Sequence, residues 1–118
     1  MAIDRAALAQ LRALDQETGG GLFAELLELF HDGTPLRLAS IRRALAAGDA
    51  RQVEREAHSL KGSSGALGAI GLMQLAGELE HRARAGDLSD AGQQVEAIEA
   101  EFRAAGAELV AAQQEIPG

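Results

Sequence analysis

The stretch that decides the fold is residues 53–68, which read VEREAHSLKGSSGALG. When residues are placed at about 100° per position, its apolar and small side chains fall within about 80° of one another on one side of a helix. These side chains are Val53, Ala57, Leu60, Ser64 and Leu67. The same projection places His58 about 140° from the centre of that side. The pattern therefore predicts a helix over about residues 50 to 65, with a buried apolar face and a histidine that faces solvent.

Two glycines, Gly62 and Gly65, interrupt this helical pattern. Each costs about 1 kcal/mol relative to alanine in a helix interior, so we expect a function that offsets the cost. His58 has Lys61 one turn ahead, and only glycines lie four and seven residues ahead of it. An imidazole without bulky neighbours and with an ammonium nearby suits a nucleophile that a large partner approaches closely to exchange a phosphoryl group.

Outside this stretch, apolar residues recur at helical spacing and predict four further helical regions. Their stripes are Ile3, Ala7, Leu11 and Leu14; Phe23, Leu26, Leu27, Phe30, Leu38, Ile41 and Leu45; Leu72, Leu75, Leu79 and Ala83; and Val95, Ile98, Phe102 and Leu109. Asp49, followed by Gln52, is typical of the N-cap of the central helix. Thr34 before Pro35 predicts a second N-cap, and hence a kink or short break in the region that contains it. Short loops between such helices favour an antiparallel, up-and-down bundle.

Composition limits the class of protein further. The chain has 118 residues, a length typical of one domain, and we expect a single domain over residues 1–118. Aromatic residues make up only 3%, so the core must come from leucine and alanine on helices. A net charge of −7 argues against nucleic acid as a partner. The chain has no cysteine, which excludes disulfides and thiolate chemistry. No apolar run is long enough to span a membrane and the N-terminus lacks a signal-peptide pattern, so we expect a cytoplasmic protein with no membrane partner.

The central stretch resembles the signature of histidine-containing phosphotransfer (Hpt) domains. The resemblance rests on residues 57–64, AHSLKGSS, and on Leu67-Gly68. Gly48-Asp49, Leu75, Leu79-Glu80 and Gly86-Asp87 also fall where that family places similar residues. The similarity covers nearly the whole chain. It implies an all-α fold, an up-and-down antiparallel four-helix bundle with an accessory N-terminal helix.

The resemblance also implies a function and a set of site residues. His58 would accept a phosphoryl group from the aspartyl phosphate of a receiver domain and pass it to another receiver. Lys61 would stabilise the charge of the phosphate, Glu80 would orient the imidazole through Nδ1, and Arg84 would contact the phosphate. We expect Arg55, Gly62 and Gly65 to lie on the docking surface, which should be apolar around His58 and charged at its rim.

The same resemblance suggests which partners and cofactors to expect. The partners would be receiver domains of response regulators and a hybrid sensor kinase, and we expect a monomer. The sequence has no P-loop, dinucleotide-binding or kinase motif, so we expect a phosphocarrier and not an ATP-using enzyme. No cofactor is expected, because the Mg²⁺ that activates the aspartate would belong to the receiver.

Two alternatives remain open at this point. One is a helical scaffold or inhibitor that keeps the fold but has lost phosphotransfer. The other is a di-iron carboxylate bundle, since Glu28 and His31, and Glu78 and His81, have the Glu-x-x-His spacing of that class. The helical projection argues against the second alternative, because it places Glu28 and His81 opposite the apolar stripes of their helices.

Overall fold

The chain folds into five α-helices, without a β-strand among residues 3–114, which are the residues that this computed structural model describes. The helices are α1 (Arg5–Glu17), α2 (Leu22–Ala46), α3 (Ala50–Ala66), α4 (Ile70–Arg84) and α5 (Ala91–Gln114). Each of α2, α3 and α4 packs against the next helix along the chain, and α2 also packs against α5, so the four helices close into a bundle. The predicted all-α bundle with an accessory N-terminal helix is confirmed.

The helix that carries His58 packs most extensively against α4, and the two run antiparallel. Residues face each other in opposite order along them: Glu54 lies opposite Arg84, His58 opposite Glu80, Lys61 opposite Gly77, and Gly65 opposite Met73. A turn of three residues joins the two helices, and in it Gly68 adopts a φ of 73°, a conformation that favours glycine. This register brings side chains of α4 beside the outer face of α3.

The buried face of α3 is the one that the sequence predicts. All five of its predicted inner side chains are buried: Val53, Ala57, Leu60, Ser64 and Leu67. The predicted N-cap is also confirmed, since the carboxylate of Asp49 accepts a hydrogen bond of 3.1 Å from the backbone N–H of Gln52. The Asp49 cap therefore sets where α3 begins, and the apolar stripe sets which side of α3 faces the bundle.

The prediction of a break at Thr34-Pro35 is wrong, because α2 runs without interruption through both residues. Proline has no N–H to donate and usually ends or kinks a helix. Thr34 is not a cap here but a buried residue, on the same face as Phe30 and Leu38. This face is buried on both sides of Pro35, and we attribute the continuity of the helix to that packing.

The first helix packs on the bundle mainly through its N-terminal half, and farther along it Arg12 donates a hydrogen bond of 2.8 Å to the carbonyl of Ala112 on α5. The backbone N–H of Asp4 donates to the carbonyl of Gly68 over 2.6 Å, and Leu8 and Leu11 are buried. Leu14 is 47% exposed, so its predicted place in the apolar stripe is wrong. Because Asp4 is anchored to the α3–α4 turn, the residues that follow it closely are the ones held against the bundle. Leu8, which the sequence did not assign to the apolar stripe, is buried.

Candidate functional site

His58 lies on the outer side of α3 with 68% of its side chain exposed. The prediction that this histidine faces solvent is confirmed. It follows from the burial of Ala57 and Leu60, which fix the rotation of the helix about its axis. The imidazole is therefore accessible to a large partner while its backbone is held in the most extensively packed helix pair.

One ring nitrogen of His58 is held by a buried carboxylate from the neighbouring helix. Glu80 on α4 is 4% exposed, and its Oε2 lies 2.7 Å from Nδ1 of His58. An ionised carboxylate only accepts hydrogen bonds, so Nδ1 carries the proton and donates it. In the neutral imidazole, Nε2 then keeps its lone pair. The structure thus places Glu80 where the resemblance implied, in contact with Nδ1.

The carboxylate of Glu80 binds two further cations. Lys61 Nζ lies 2.6 Å from Oε1, and an Nη of Arg84 lies 2.9 Å from Oε2. Burial by itself raises the pKa of Glu80, but hydrogen bonds from Lys61 and His58, and the charge of the lysine, outweigh it and lower the pKa below its ordinary value. Glu80 is therefore ionised near neutral pH, although its side chain is almost fully buried.

A second carboxylate, Glu54, completes this network and was not identified from the sequence. Its Oε2 accepts a hydrogen bond of 2.7 Å from Nε of Arg84. Arg84 therefore joins the carboxylates of two helices, and its pKa is raised mainly by the hydrogen bond and charge of Glu54. The sequence could have identified Glu54, because it lies four residues, about one helical turn, before His58 on the same side of α3.

An open cleft of about 560 Å³ lies beside His58. Its lining residues are mostly charged or polar: Arg51, Glu54, Arg55, His58, Ser59, Glu80 and Arg84. The expectation of an apolar surface around His58 is therefore wrong on this side of the histidine. Arg55, a predicted docking residue, lines the cleft, and Lys61 joins the site through Glu80. Three guanidinium groups line the cleft, those of Arg51, Arg55 and Arg84, and they can bind an anionic group.

The two glycines of α3 have different surroundings. A Cβ built on Gly62 would meet nothing within 4 Å, so this position leaves open space next to the histidine's face. A Cβ on Gly65 would lie 3.0 Å from the sulfur of Met73 on α4. The sequence predicts that both glycines lie on the outer surface. For Gly65 the structure adds a packing role, because the close approach of α4 leaves little room for a side chain.

The other two histidines lie away from this site on the surface. Among the described residues, the one polar side-chain contact of His31 is with its neighbour Asp32, at 3.3 Å, and His81 is exposed on α4. Glu28 and Glu78 are exposed as well. Di-iron proteins of this class bind metal with side chains that project into the bundle. Within residues 3–114 no three histidine or acidic side chains are grouped to hold a metal ion, so the structure gives the di-iron alternative no support.

Comparison with known proteins agrees with this geometry. The family model for the Hpt domain matches residues 25–108. The fold is similar to the crystal structure of histidine-containing phosphotransfer protein B (HptB) from Pseudomonas aeruginosa PAO1, with a TM-score of 0.87 and 33% sequence identity. That alignment covers 98% of this chain and 97% of the other. Among curated proteins, none matches the sequence significantly.

Within the described residues no helix is long and apolar enough to cross a lipid bilayer. Hpt domains are phosphocarriers and not kinases, and they work with receiver domains and kinases as intermediates of phosphorelays. The family match covers most of the chain, and the structural match covers nearly all of it. The chain belongs to the family of histidine-containing phosphotransfer domains.

Proposed function

We propose that His58 is the phosphoryl acceptor of this carrier, that it takes the group from the aspartyl phosphate of one receiver domain, and that it passes the group to an aspartate of another. The observation that carries the proposal is the pair formed by exposed His58 and buried Glu80, joined over 2.7 Å. This pair fixes the ring in one orientation and leaves Nε2 free to react.

The proposed step is a displacement at phosphorus. The lone pair of Nε2 forms a bond to phosphorus while the bond between phosphorus and the donor's aspartate oxygen breaks, and the aspartate leaves as a carboxylate. The proton on Nδ1 stays in place, held by Glu80. In the onward step an oxygen of the acceptor's aspartate attacks phosphorus and the N–P bond breaks. The chain's own contribution is positioning and charge, which is what phosphoryl transfer mainly requires.

Cations near His58 support this assignment. A phosphoryl group on histidine brings close to two negative charges to the surface. Arg51, Arg55 and Arg84 line the cleft beside the ring, and Lys61 is held nearby through Glu80. Lys61 and Arg84 would share their charge between this carboxylate and the phosphoryl group. Glu80 therefore has two roles in the proposal: it orients the ring, and it holds two cations close to it.

The proposal also includes the setting in which the carrier works. Receiver domains of response regulators and a hybrid sensor kinase are its partners, and the Mg²⁺ that activates the aspartate is bound by the receiver. The proposed place of action is the cytoplasm. The proposed form is a monomer, because a single chain supplies every residue in the proposed site.

The test is a phosphotransfer profile against a panel of phosphorylated receivers. The parent chain should take label from at least one receiver, and the label should be acid-labile and base-stable. His58→Gln should fold, because its side chain is exposed and its amide can still donate a hydrogen bond to Glu80, and it should accept no label.

His81→Gln and His31→Gln are the matched controls, since both remove an exposed imidazole, and both should accept label as the parent does. Label that persists in His58→Gln would refute the assignment, with His81 the first alternative acceptor. A parent chain that takes no label from any receiver would favour the scaffold or inhibitor instead.

A further inference from the structure

Arg84 is bound by two carboxylates at once. Its Nε donates a hydrogen bond of 2.7 Å to Oε2 of Glu54 on α3, and an Nη donates one of 2.9 Å to Oε2 of Glu80. The pKa of Arg84 is raised mainly by the hydrogen bond and charge of Glu54, and less by Glu80. Glu54 is therefore the main partner of this arginine in the unphosphorylated chain.

The two carboxylates keep the guanidinium at one end of the imidazole of His58. Oε2 of Glu80 accepts hydrogen bonds from both Arg84 and Nδ1 of His58, so the arginine lies on the Nδ1 side of the ring. The phosphoryl group would be carried by Nε2, which is a different corner of the ring. The positive charge of Arg84 is thus shared between two anions before any phosphoryl group arrives.

Glu54 has no evident place at a site that accepts a phosphoryl group. It lines the cleft beside His58, where a carboxylate repels the negative charge that the histidine gains. Among the described residues its one ion-pair partner is Arg84. Any effect of Glu54 on transfer beyond this repulsion therefore has to run through Arg84.

We infer that Glu54 is a positioning residue that keeps Arg84 away from the phosphohistidine, and that it thereby keeps the phosphoryl group easy to pass on. The inference rests on the proposed function of His58. A cation paired with phosphohistidine stabilises the charged product, and this stability makes onward transfer less favourable. The step itself is unchanged: an oxygen of the acceptor's aspartate attacks phosphorus, the N–P bond breaks, and Nε2 recovers its lone pair. Glu54 lowers the share of the arginine's charge that the phosphoryl group receives, so the carrier releases the group more readily.

The experiment measures the equilibrium constant of phosphoryl exchange between the full chain and one receiver that labels it. This constant compares the stability of the two phosphorylated proteins, so it does not depend on how tightly they dock. Glu54→Ala should fold, because its side chain is partly exposed, and it should shift the equilibrium towards phosphohistidine by about two- to fivefold. In NMR spectra, phosphorylation should move the Nε–H signal of Arg84 more in this variant than in the parent, because the arginine is then free to turn towards the phosphoryl group.

Two controls separate the role of Arg84 from the general effect of charge. Glu56→Ala removes a carboxylate of the same helix whose ion-pair partner is Arg37, and it should shift the equilibrium less than Glu54→Ala does. In an Arg84→Ala chain, Glu54→Ala should have no larger effect than Glu56→Ala.

The outcomes distinguish this inference from the proposed function. A parent chain that takes no label overturns both. If the parent is labelled, the inference alone is wrong when Glu54→Ala leaves the equilibrium unchanged, when it shifts the equilibrium towards the receiver, or when its full effect persists without Arg84. A shift towards the receiver would mean that Glu54 directs Arg84 to the phosphoryl group and does not keep it away.

Discussion

Glu80 links most of the chemistry at the scale of single residues. Its side chain is almost fully buried, yet it receives hydrogen bonds from His58, Lys61 and Arg84, which all have exposed ends. A buried carboxylate without such partners would be strongly disfavoured. The site therefore depends on a charge that is stable only because three neighbours surround it.

Glu80→Gln should change how stability depends on pH. Because the pKa of Glu80 is lowered in the folded state, its ionisation stabilises the fold above the ordinary glutamate pKa of about 4.3, and this contribution is lost as the pH falls below that value. At pH 7 the variant should be less stable by about 1–2 kcal/mol. The difference from the parent should shrink between about pH 5 and pH 3.

Urea unfolding at several pH values measures this effect. Glu96→Gln, at an exposed site on α5, makes the same change in net charge away from the network and reports the general effect of charge. If the parent and Glu80→Gln lose stability in parallel as the pH falls, Glu80 does not contribute in the way argued here.

Lys61→Ala should slow phosphoryl transfer severalfold and shorten the lifetime of the phosphohistidine. The lysine is partly exposed and screened by water and salt, so its contribution to the charged product is only about 0.5–1 kcal/mol. Arg84 still binds Glu80 in this variant, so removing both cations should deepen the defect. Rates of label transfer and loss provide the measurement. Arg43→Ala, which removes an exposed cation on α2, is the control; a Lys61→Ala chain that behaves like it has only lost a surface charge.

The element that presents His58 is a helix containing two glycines with different surroundings. Gly62 opens onto solvent, whereas Gly65 lies against Met73 of α4. Helix propensity favours alanine over glycine at both positions by about 1 kcal/mol, so packing alone should distinguish them. Alanine substitutions at the two positions therefore test which glycine keeps the surface open and which one allows the close contact between helices.

Gly62→Ala should raise the unfolding free energy by about 1 kcal/mol, because its Cβ meets nothing. Gly65→Ala should raise the unfolding free energy less, or not at all, because its Cβ would press against the flexible Met73 side chain at 3.0 Å.

Gly62→Glu should fold but block transfer, since its side chain fills the space that a receiver needs. Denaturant unfolding and transfer rates measure both effects. Wild-type transfer by Gly62→Glu would place the docking surface elsewhere.

At the scale of the whole molecule, α1 buries apolar side chains mainly in its first half, and beyond them Arg12 donates a hydrogen bond of 2.8 Å to the carbonyl of Ala112 on α5. Leu8 is 2% exposed and lies near the α3–α4 turn, where a Cβ on Gly68 would be 3.5 Å from the Leu8 backbone nitrogen. The family match begins at residue 25, so this helix lies outside it. The N-terminal helix thus packs on the turn that follows α3, the helix of His58.

Leu8→Ala should lower the unfolding free energy by about 2–4 kcal/mol, because it removes a buried side chain and leaves a cavity. Leu14→Ala, the matched change on the same helix, should lower it by less than about 0.5 kcal/mol because Leu14 is largely exposed. Thermal and urea unfolding of the two variants gives the comparison. Equal losses would show that α1 is not held by its N-terminal half.

The sequence by itself determined the helices, the inner face of α3 and the exposure of His58. These features are local, because the 3.6-residue period and the Asp49 cap are written in neighbouring residues. The roles of Glu80 and Arg84 came from resemblance to a family, since their positions on another helix cannot be derived from spacing along α3. Two predictions from local patterns are wrong, the helix break at Pro35 and the burial of Leu14, because packing between helices overrides the pattern there.

Only the tertiary structure decided how the charged groups meet. The antiparallel register of α3 and α4 brings Glu80 to His58 and Lys61, and Glu54 to Arg84. It also presses Met73 against Gly65 and leaves Gly62 open. A one-dimensional pattern shows which side of each helix is apolar, but the axial position of one helix against another depends on how their side chains interlock. That register, and not the composition of either helix, converts an exposed histidine into an oriented one.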